Sequence, residues 1–198
     1  MVGGSQLVTT KLEIKGQEVV IRALERRDVP GVGRFAAELT THDLLFLRRD
    51  IQHARVIDAW MQAVDRGEMD SLVAVCGERI IGTLAIAREM LGWSPHIGEI
   101  RMVIAADMRG GGLGRHLLAK GIELALEGGA TKLTARMTPD QTGAITLFEE
   151  VGFRGEAMLR DHVKDRDGEL HDLAVLAFHP SRAGLREEAF GHEATSKA

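Results

Sequence analysis

Hydrophobic and polar positions along the chain predict a protein rich in β-strands. Apolar, β-branched runs of strand length recur along most of the chain, with glycine, proline or aspartate between them. The glycine-first pair Gly77 and Glu78 predicts a hairpin, and Asp167 with Gly168 predicts a primed turn between the last two strands. The predicted strands lie at residues 19–23, on both sides of the turn within 71–89, at 97–104 and 131–138, and on both sides of the turn within 155–178.

Apolar residues at three-and-four spacing predict helices between these strands. An N-cap residue with a first-turn proline marks one helix start, and glycines mark three helix ends. The stretch TTHDLLFLRR, residues 40–49, fits neither period and is left ambiguous. Four helices are predicted. The first begins near Asp28 and Pro30, and the second runs from Ile51 to Val64 and ends at Gly67. The third follows the glycines at 110–114 and ends at Gly128 and Gly129, and the fourth spans 143–151 with a C-cap at Gly152.

The order of elements predicts a mixed α/β or α+β sheet covered by helices. A length of 198 residues, 44% hydrophobic and 27% charged, suits one domain with one core. We expect the domain to span residues 18–180, with an N-terminal extension at 1–17 and a polar tail at 181–198. No linker or internal repeat divides the chain.

Composition excludes several classes of partner. A formal charge of −4 with interspersed signs, and no basic stripe with aromatics, gives no reason to expect nucleic acid. The sequence shows neither a run long enough to span a membrane nor the order of a signal peptide, so we expect no membrane and a cytoplasmic location. The single cysteine, Cys76, lies in an apolar stretch and is expected to be buried and inert.

Four glycines between a predicted strand and a predicted helix indicate an anion site. Unpaired amides at a helix N-terminus converge on an anion, and a side chain would block the approach. The dinucleotide fingerprint fails because Arg115 stands where its third glycine belongs. The nucleoside-triphosphate loop fails because Gly114 is followed by Arg115 and His116. A purely structural turn is the alternative, but the flanking Arg109 and Arg115 favour a diphosphate.

A third design matches the residues present. The stretch RGGGLG resembles the Arg/Gln-x-x-Gly-x-Gly/Ala signature of the GNAT superfamily of N-acetyltransferases, and QTGAITLFEEVGFRGEAML resembles its second signature. The resemblance covers residues 19–178, which is most of the chain. It implies a mostly antiparallel sheet of six or seven strands flanked by about four helices. It also implies that acetyl-CoA is the co-substrate, that the glycine loop binds its diphosphate, and that no metal is required.

The resemblance implies a set of site residues. The strand with Met102, Val103 and Ile104 offers backbone groups to the pantetheine arm, and the neighbouring strand at 131–138 splays away to make room. Glu99 is the leading candidate for the base that deprotonates the amine; pairing with Arg101 is the equally weighted alternative. His96, His162 and His171 are lesser candidates. The expected cofactor-binding residues are Met102, Val103, Ile104, Arg109, Gly110, Gly111, Gly112, Leu113, Gly114, Arg115, Gln141 and Phe148.

This sequence departs from the family pattern at the group that protonates the leaving thiolate. Family members often have a tyrosine there, but this chain has Phe148, with Gln141 in place of an asparagine, and it contains no tyrosine at all. Either water or another side chain serves, or the thiolate leaves unassisted. Phe148 can instead pack against the pantetheine.

Two functions follow. The first is an N-acetyltransferase acting on a small amine, an amino acid or a protein amine by direct attack in a ternary complex. The second is an acyl-CoA-binding regulatory module without catalysis. The acceptor is expected near the early helices and the last hairpin, where Asp43, Asp50, Asp161 and Glu169 either attract a cationic amine or are simply solvated. A homodimer formed through the late strands is also expected from the resemblance.

Overall fold

The computed structural model describes residues 9–45, 47 and 49–180, and these form one continuous sheet with helices on both faces. The strands are β1 (Thr10–Ile14), β2 (Gln17–Ala23), β3 (Met69–Cys76), β4 (Arg79–Ala87), β5 (Ile97–Ile104), β6 (Lys132–Met137), β7 (Arg154–Lys164) and β8 (Leu170–Phe178). The helices are α1 (Val29–Ala37), α2 (Thr41–Leu44), α3 (Ala54–Asp65), α4 (Leu113–Glu127) and α5 (Thr142–Val151), with short 3-10 turns at Arg26–Asp28 and Ala106–Met108.

The eight strands are ordered β1-β2-β3-β4-β5-β6-β8-β7. Neighbours are antiparallel except β5 and β6, which run parallel because α4 carries the chain back between them. The predicted mixed, mostly antiparallel sheet is therefore confirmed, with one strand more than the six or seven expected. The additional strand, β1, lies inside the segment 1–17 that was expected to be an extension. The tail at 181–198 lies outside the described residues.

Helices cover the two faces of the sheet. A Cβ atom on Gly121 of α4 would lie 2.6 Å from Leu84 of β4, so this helix packs tightly on the face that carries Leu84. Leu84 pairs with Leu72, while the preceding Ser71 accepts a hydrogen bond from the indole of Trp60 in α3 at 2.8 Å. Because adjacent strand residues point to opposite faces, α3 and α4 lie on opposite sides of the sheet.

Several predicted boundaries are confirmed and others are corrected. The hairpin at Gly77 joins β3 and β4 as predicted, and β5 has the predicted bounds. The α3 helix begins at Ala54, after Ile51, which is buried but not helical. Asp28 stands at the N-cap of α1, yet its side chain makes no capping hydrogen bond, because its carboxylate binds Arg22 instead.

The turn between β7 and β8 is longer than the primed turn predicted from Asp167 and Gly168. The amide of Asp165 donates to the carbonyl of Glu169, and Gly168 has a φ of 90°, whereas Asp167 is not among the residues with positive φ. A primed turn of type I′ needs positive φ at both central residues, so the prediction was right about the place and wrong about the geometry. β7 forms one edge of the sheet and is largely exposed; the expected homodimer through the late strands stays a prediction.

Cys76 is half-buried at the end of β3, and its thiol donates to the side-chain carbonyl of Gln17 at 3.3 Å, so the prediction that it is buried was wrong. Within the described part of the chain, no helix combines the length and the apolar character that crossing a membrane would require.

Candidate functional site

A cleft opens where β5 and β6 diverge. Their pairing runs from Ile97 with Lys132 to Ile100 with Ala135 and then stops, although both strands continue. The divergence agrees with the splay predicted for this strand pair. The cleft has a volume of about 730 Å³ and is lined by His42, Asp43, Met102, Val103, Ile104, Met108, Arg109, Gly110, Gly112, Gly114, Arg115, Asp140, Gln141, Thr142, Gly143, Ala144 and Leu147.

The glycine loop lies at this cleft, which Gly110, Gly112 and Gly114 line. Helical hydrogen bonding in α4 begins with the amides of Arg115 and His116, which donate to the carbonyl of Gly112 at 3.1 and 3.4 Å. Among the described residues, the five preceding amides, from Gly110 to Gly114, have no hydrogen-bond acceptor. Free amides at the N-terminus of a helix of 15 residues are suited to binding an anion.

The four glycines of the loop serve two different needs. Gly110 and Gly112 have φ values of 74° and 87°, and no atom would lie within 4 Å of an added Cβ at either position. Gly111 and Gly114 instead allow close packing: an added Cβ at Gly114 would lie 2.8 Å from Leu147 of α5, and one at Gly111 would lie 3.0 Å from Lys15. Close packing therefore gives Gly111 and Gly114 a structural reason, whereas the side of the loop at Gly110 and Gly112 is open to a ligand.

Both arginines that frame the loop bind carboxylates in this structure. Arg109 donates from Nη2 to Asp43 at 2.6 Å and from Nε to the carbonyl of Ile104 at 3.1 Å. Arg115 forms an ion pair with Glu150 of α5. Burial raises the pKa of Asp43, but hydrogen bonds from Thr40 and Arg109 outweigh it, so the net pKa lies below its ordinary value. Two cationic side chains thus flank the glycine loop, but each is already paired with a carboxylate.

Comparison with known proteins decides the family. The acetyltransferase (GNAT) family model matches residues 36–153, more than half of the chain. The chain belongs to the GNAT acetyltransferase family. It is an acetyl-CoA-dependent N-acetyltransferase by that membership, as the resemblance implied.

Solved structures of other proteins share the fold of this chain. A GNAT acetyltransferase from Streptococcus pneumoniae is 20% identical and superposes with a TM-score of 0.71 over 81% of this chain and 99% of that chain. A ribosomal-protein-alanine N-acetyltransferase from Brucella melitensis is 23% identical, with a TM-score of 0.68 over 80% and 98%. Spermidine N-acetyltransferase from Vibrio cholerae, in complex with CoA and spermine, is 17% identical, with a TM-score of 0.69 over 82% and 96%. At these identities the likeness concerns the fold.

Most of the residues expected to hold the cofactor of this GNAT protein line the cleft. Gly111, Leu113 and Phe148 do not. Leu113 is 1% exposed in the core, and Phe148 is 3% exposed and packs edge-to-face on Phe153, with ring centroids 4.9 Å apart. The place of the family's tyrosine is therefore filled by a core side chain. Gln141 does line the cleft, and its side-chain oxygen accepts from the amide of Thr138 at 3.3 Å.

Glu99 lies deeper in β5 and is not among the residues that line the cleft. It is 9% exposed, and its Oε1 accepts a hydrogen bond from Nε of Arg101 at 2.9 Å. The contact with Arg101 is the ion-pair alternative weighed from the sequence. A carboxylate held in this way still has the chemistry of a base, and variants of Glu99 and Arg101 separate the two interpretations.

Two residues that sequence reasoning did not assign to the cofactor cleft come from α2. His42 and Asp43 both line the cleft, and His42 Nε2 lies 2.9 Å from Asp140 Oδ2 on the opposite wall. The signal was present in the ambiguous stretch: Thr40 and Asp43 form a capping box, in which the Thr40 hydroxyl accepts from the amide of Asp43 and the Asp43 carboxylate accepts from the amide of Thr40.

None of the three histidines proposed as lesser candidates lines the cleft. His171 Nε2 lies 2.8 Å from Asp165 Oδ2 in the β7–β8 hairpin, which raises the pKa of His171. Asp165, Glu169 and His171 place one potential ligand atom each within 4.8 Å of one another. However, Asp165 is already occupied, because its Oδ1 accepts from the amides of Asp167 and Glu169 at 2.9 Å. The cluster is explained by the turn that it stabilises.

Two of the aspartates considered for a cationic acceptor are neutralised by arginine. Asp43 binds Arg109, and Asp50 binds Arg166 of the β7–β8 turn. Burial raises the pKa of Asp50, but the hydrogen bonds from Arg166 and from the amide of Gln52, together with the charge of Arg166, outweigh it and lower the pKa overall. Arg166 also donates to Gln52 Oε1 at 2.6 Å, so the last hairpin is bridged to the segment that follows α2. These contacts favour pairing over capture of a free cation.

Proposed function

We propose that this GNAT protein transfers the acetyl group of acetyl-CoA to a primary amine by direct attack in a ternary complex. The observation that carries the proposal is the row of unpaired amides from Gly110 to Gly114 at the mouth of an open cleft. A diphosphate supplies the oxygens these donors lack, and Arg115 adds a cation beside them. The diverging strand β5, with Met102, Val103 and Ile104, offers the edge along which the pantetheine arm lies.

In the proposed mechanism Glu99 is the base. The ammonium proton of the acceptor passes to the Glu99 carboxylate, directly or through water, and the nitrogen lone pair then attacks the thioester carbonyl carbon. A C–N bond forms and the C–S bond breaks, with the electron pair leaving on sulfur. The nitrogen then still carries one proton more than the amide product. Because Phe148 has no proton to give, that proton passes through water to the departing thiolate, and Glu99 returns the first proton to solvent. A backbone N–H of β5 is proposed to stabilise the oxyanion.

The acceptor is proposed from the relatives with the same fold. One of them is named for the alanine of a ribosomal protein and another for spermidine, so both a protein N-terminus and a polyamine are candidates. A panel of spermidine, free amino acids and a peptide that begins with alanine covers these classes. Free-thiol release from acetyl-CoA measures turnover, and calorimetric titration with CoA measures binding.

The decisive variants are Glu99→Gln and Arg101→Gln. If Glu99 is the base, Glu99→Gln lowers kcat/KM about 100-fold or more and leaves CoA binding within about twofold. It also removes the acidic limb of the pH–rate profile, on which activity rises as the base loses its proton. Arg101→Gln then retains much more activity. Equal losses in both variants, with parallel losses of thermal stability, would show that Glu99 is only a partner of Arg101. CoA binding without turnover of any amine would favour the regulatory module, and failure of the unmodified protein to bind CoA would refute the proposal.

A further inference from the structure

The two arginines of the glycine loop differ in how firmly their partners hold them. The side chains of Arg115 and Glu150 are 57% and 48% exposed. Exposed ion pairs contribute about 0–1 kcal/mol, so Arg115 can exchange Glu150 for a phosphate at little cost. The side chain of Asp43, in contrast, is 14% exposed, and Arg109 also donates to the carbonyl of Ile104 at 3.1 Å.

Asp43 is held from two sides. Its Oδ2 accepts from the hydroxyl of Thr40 at 2.8 Å, and its Oδ1 accepts from Arg109 at 2.6 Å. Moving the Arg109 guanidinium to a phosphate would leave a largely buried carboxylate without its cation and the Ile104 carbonyl without its donor. Losing one partner of a buried charge is more costly than exchanging an exposed pair. Arg109 is therefore poorly suited to release Asp43 for the cofactor.

The Arg109–Asp43 pair joins elements that are far apart in sequence. It ties α2 to the glycine loop, and a second, more exposed pair between His42 and Asp140 ties α2 to the opposite wall of the cleft. The chain after α2 leads directly to Asp50 and Gln52, which bind Arg166 of the last hairpin. α2 thus lines the cofactor cleft and lies close in sequence to the residues that bind the last hairpin, where the acceptor is expected.

We propose that Arg109 is a positioning residue that fixes α2 to the glycine loop, whereas Arg115 is the arginine that contacts the diphosphate. The inference rests on the proposed function, because it assumes that the cleft receives CoA. The two arginines look equivalent in the sequence, but the proposal gives them different roles: Arg109 holds α2, and Arg115 holds the cofactor.

The test compares matched pairs of variants. Asp43→Asn and Glu150→Gln each remove one carboxylate partner, and asparagine keeps the capping oxygen that Thr40 uses. Arg109→Gln and Arg115→Gln each remove one guanidinium. Calorimetry measures the Kd for CoA, hydrogen–deuterium exchange measures the protection of residues 38–45, and steady-state kinetics measures KM separately for acetyl-CoA and for whichever of spermidine or the alanine peptide is turned over. Thermal melts confirm that each variant is folded.

We expect opposite patterns in the two arginine variants. Arg115→Gln weakens CoA binding about tenfold, the loss of one charge-assisted hydrogen bond, and leaves exchange at 38–45 unchanged. Arg109→Gln and Asp43→Asn keep the Kd for CoA within about threefold, speed exchange at 38–45 about fivefold and raise KM for the amine about fivefold. Glu150→Gln leaves that exchange unchanged.

Three results would overturn the assignment. The first is a tenfold loss of CoA affinity in Arg109→Gln with unchanged exchange, which would make Arg109 a phosphate ligand. The second is tenfold tighter CoA binding in Asp43→Asn, which would mean that Asp43 competes with the cofactor. The third is equal loosening of residues 38–45 by Glu150→Gln and Asp43→Asn. If the unmodified protein binds no CoA, the proposed function fails, while the exchange comparison between these last two variants still decides whether the tether exists.

Discussion

The sequence correctly placed Asp28 at the start of a helix but did not predict what its side chain binds. An aspartate before a first-turn proline predicts an N-cap, and α1 does begin at the next residue. The carboxylate instead accepts hydrogen bonds from Arg22 at 2.6 and 2.7 Å and from the amide of Glu25 at 2.9 Å. Arg22 lies on β2, and no sequence pattern shows that a strand side chain will reach this turn. Local chemistry was predictable, but a bond between two elements was not.

Asp28→Asn tests this pair. Asparagine keeps an acceptor for Glu25 but leaves Arg22, whose side chain is 19% exposed, without its counter-ion. We expect a loss of about 3 kcal/mol in the free energy of unfolding, measured by urea denaturation near neutral pH. The control is Glu18→Gln, because Glu18 and Lys11 are 69% exposed and 3.6 Å apart; it should change stability by less than about 0.5 kcal/mol. Equal effects would contradict the assignment.

The pH dependence of the Asp28 contribution has a definite sign. Burial raises the pKa of Asp28, but hydrogen bonds from Arg22 and Glu25 lower it by more than burial raises it. The pKa of Asp28 in the folded protein therefore lies below the ordinary value of 3.8. The group therefore stabilises the fold above that value and loses its contribution as the pH falls through the lower, folded pKa. The difference in stability between the unmodified protein and Asp28→Asn should shrink in that acidic range.

At the scale of elements, strands and helices were predictable where period and turn chemistry agreed. The glycine-first turn at Gly77 and the run IGEIRMVI are examples. β1 was missed because its hairpin turns through Lys15 and Gly16, and lysine at a φ of 51° is not a residue that signals such a turn. α2 was missed because four helical residues are too few to show a period.

The β7–β8 hairpin should respond to pH through His171. The hydrogen bond to Asp165 raises the pKa of His171 above 6.5 and lowers that of Asp165 below 3.8. His171 contributes its full stabilisation below pH 6.5 and loses it as the pH rises through the higher pKa that His171 has in the folded protein. Asp165 loses its stabilisation as the pH falls through the lower pKa that Asp165 has in the folded protein. The protection factors of the amides in residues 164–170, which correct for the intrinsic pH dependence of exchange, should therefore be highest between about pH 4 and 6.5. Their fall at higher pH should be absent in His171→Gln, and an unchanged fall in that variant would contradict the pairing.

At the scale of the whole molecule, the candidate site could be predicted only in part. The strand, the glycine loop and the start of α5 were expected, because the two signatures carry them as continuous stretches of sequence. His42 and Asp43 were not assigned to the cleft, because Asp43 meets Arg109 across a separation of 66 residues. Bringing such residues together depends on the path of the chain around the sheet, which the hydrophobic pattern does not specify.

Binding of CoA should stabilise the entire fold. A ligand that binds only the native state at 100 times its Kd adds about 2.7 kcal/mol, which for a domain of this size raises Tm by about 5–10 °C. Differential scanning fluorimetry with CoA measures this shift. Pantetheine lacks the diphosphate and should give a much smaller one at the same concentration. Equal shifts from both compounds would show that the glycine loop is not engaged.

The divergence of β5 from β6 has a consequence for the lifetime of the protein. Beyond the pair of Ile100 and Ala135, no strand pairing joins β5 to β6, so acetyl-CoA bound in the cleft would add contacts that these two strands do not make with each other. Degradation by proteases follows the population of transiently opened molecules, and a ligand that binds the folded form reduces that population. The amount of enzyme that survives in a growing cell should then rise and fall with the supply of its own acyl donor.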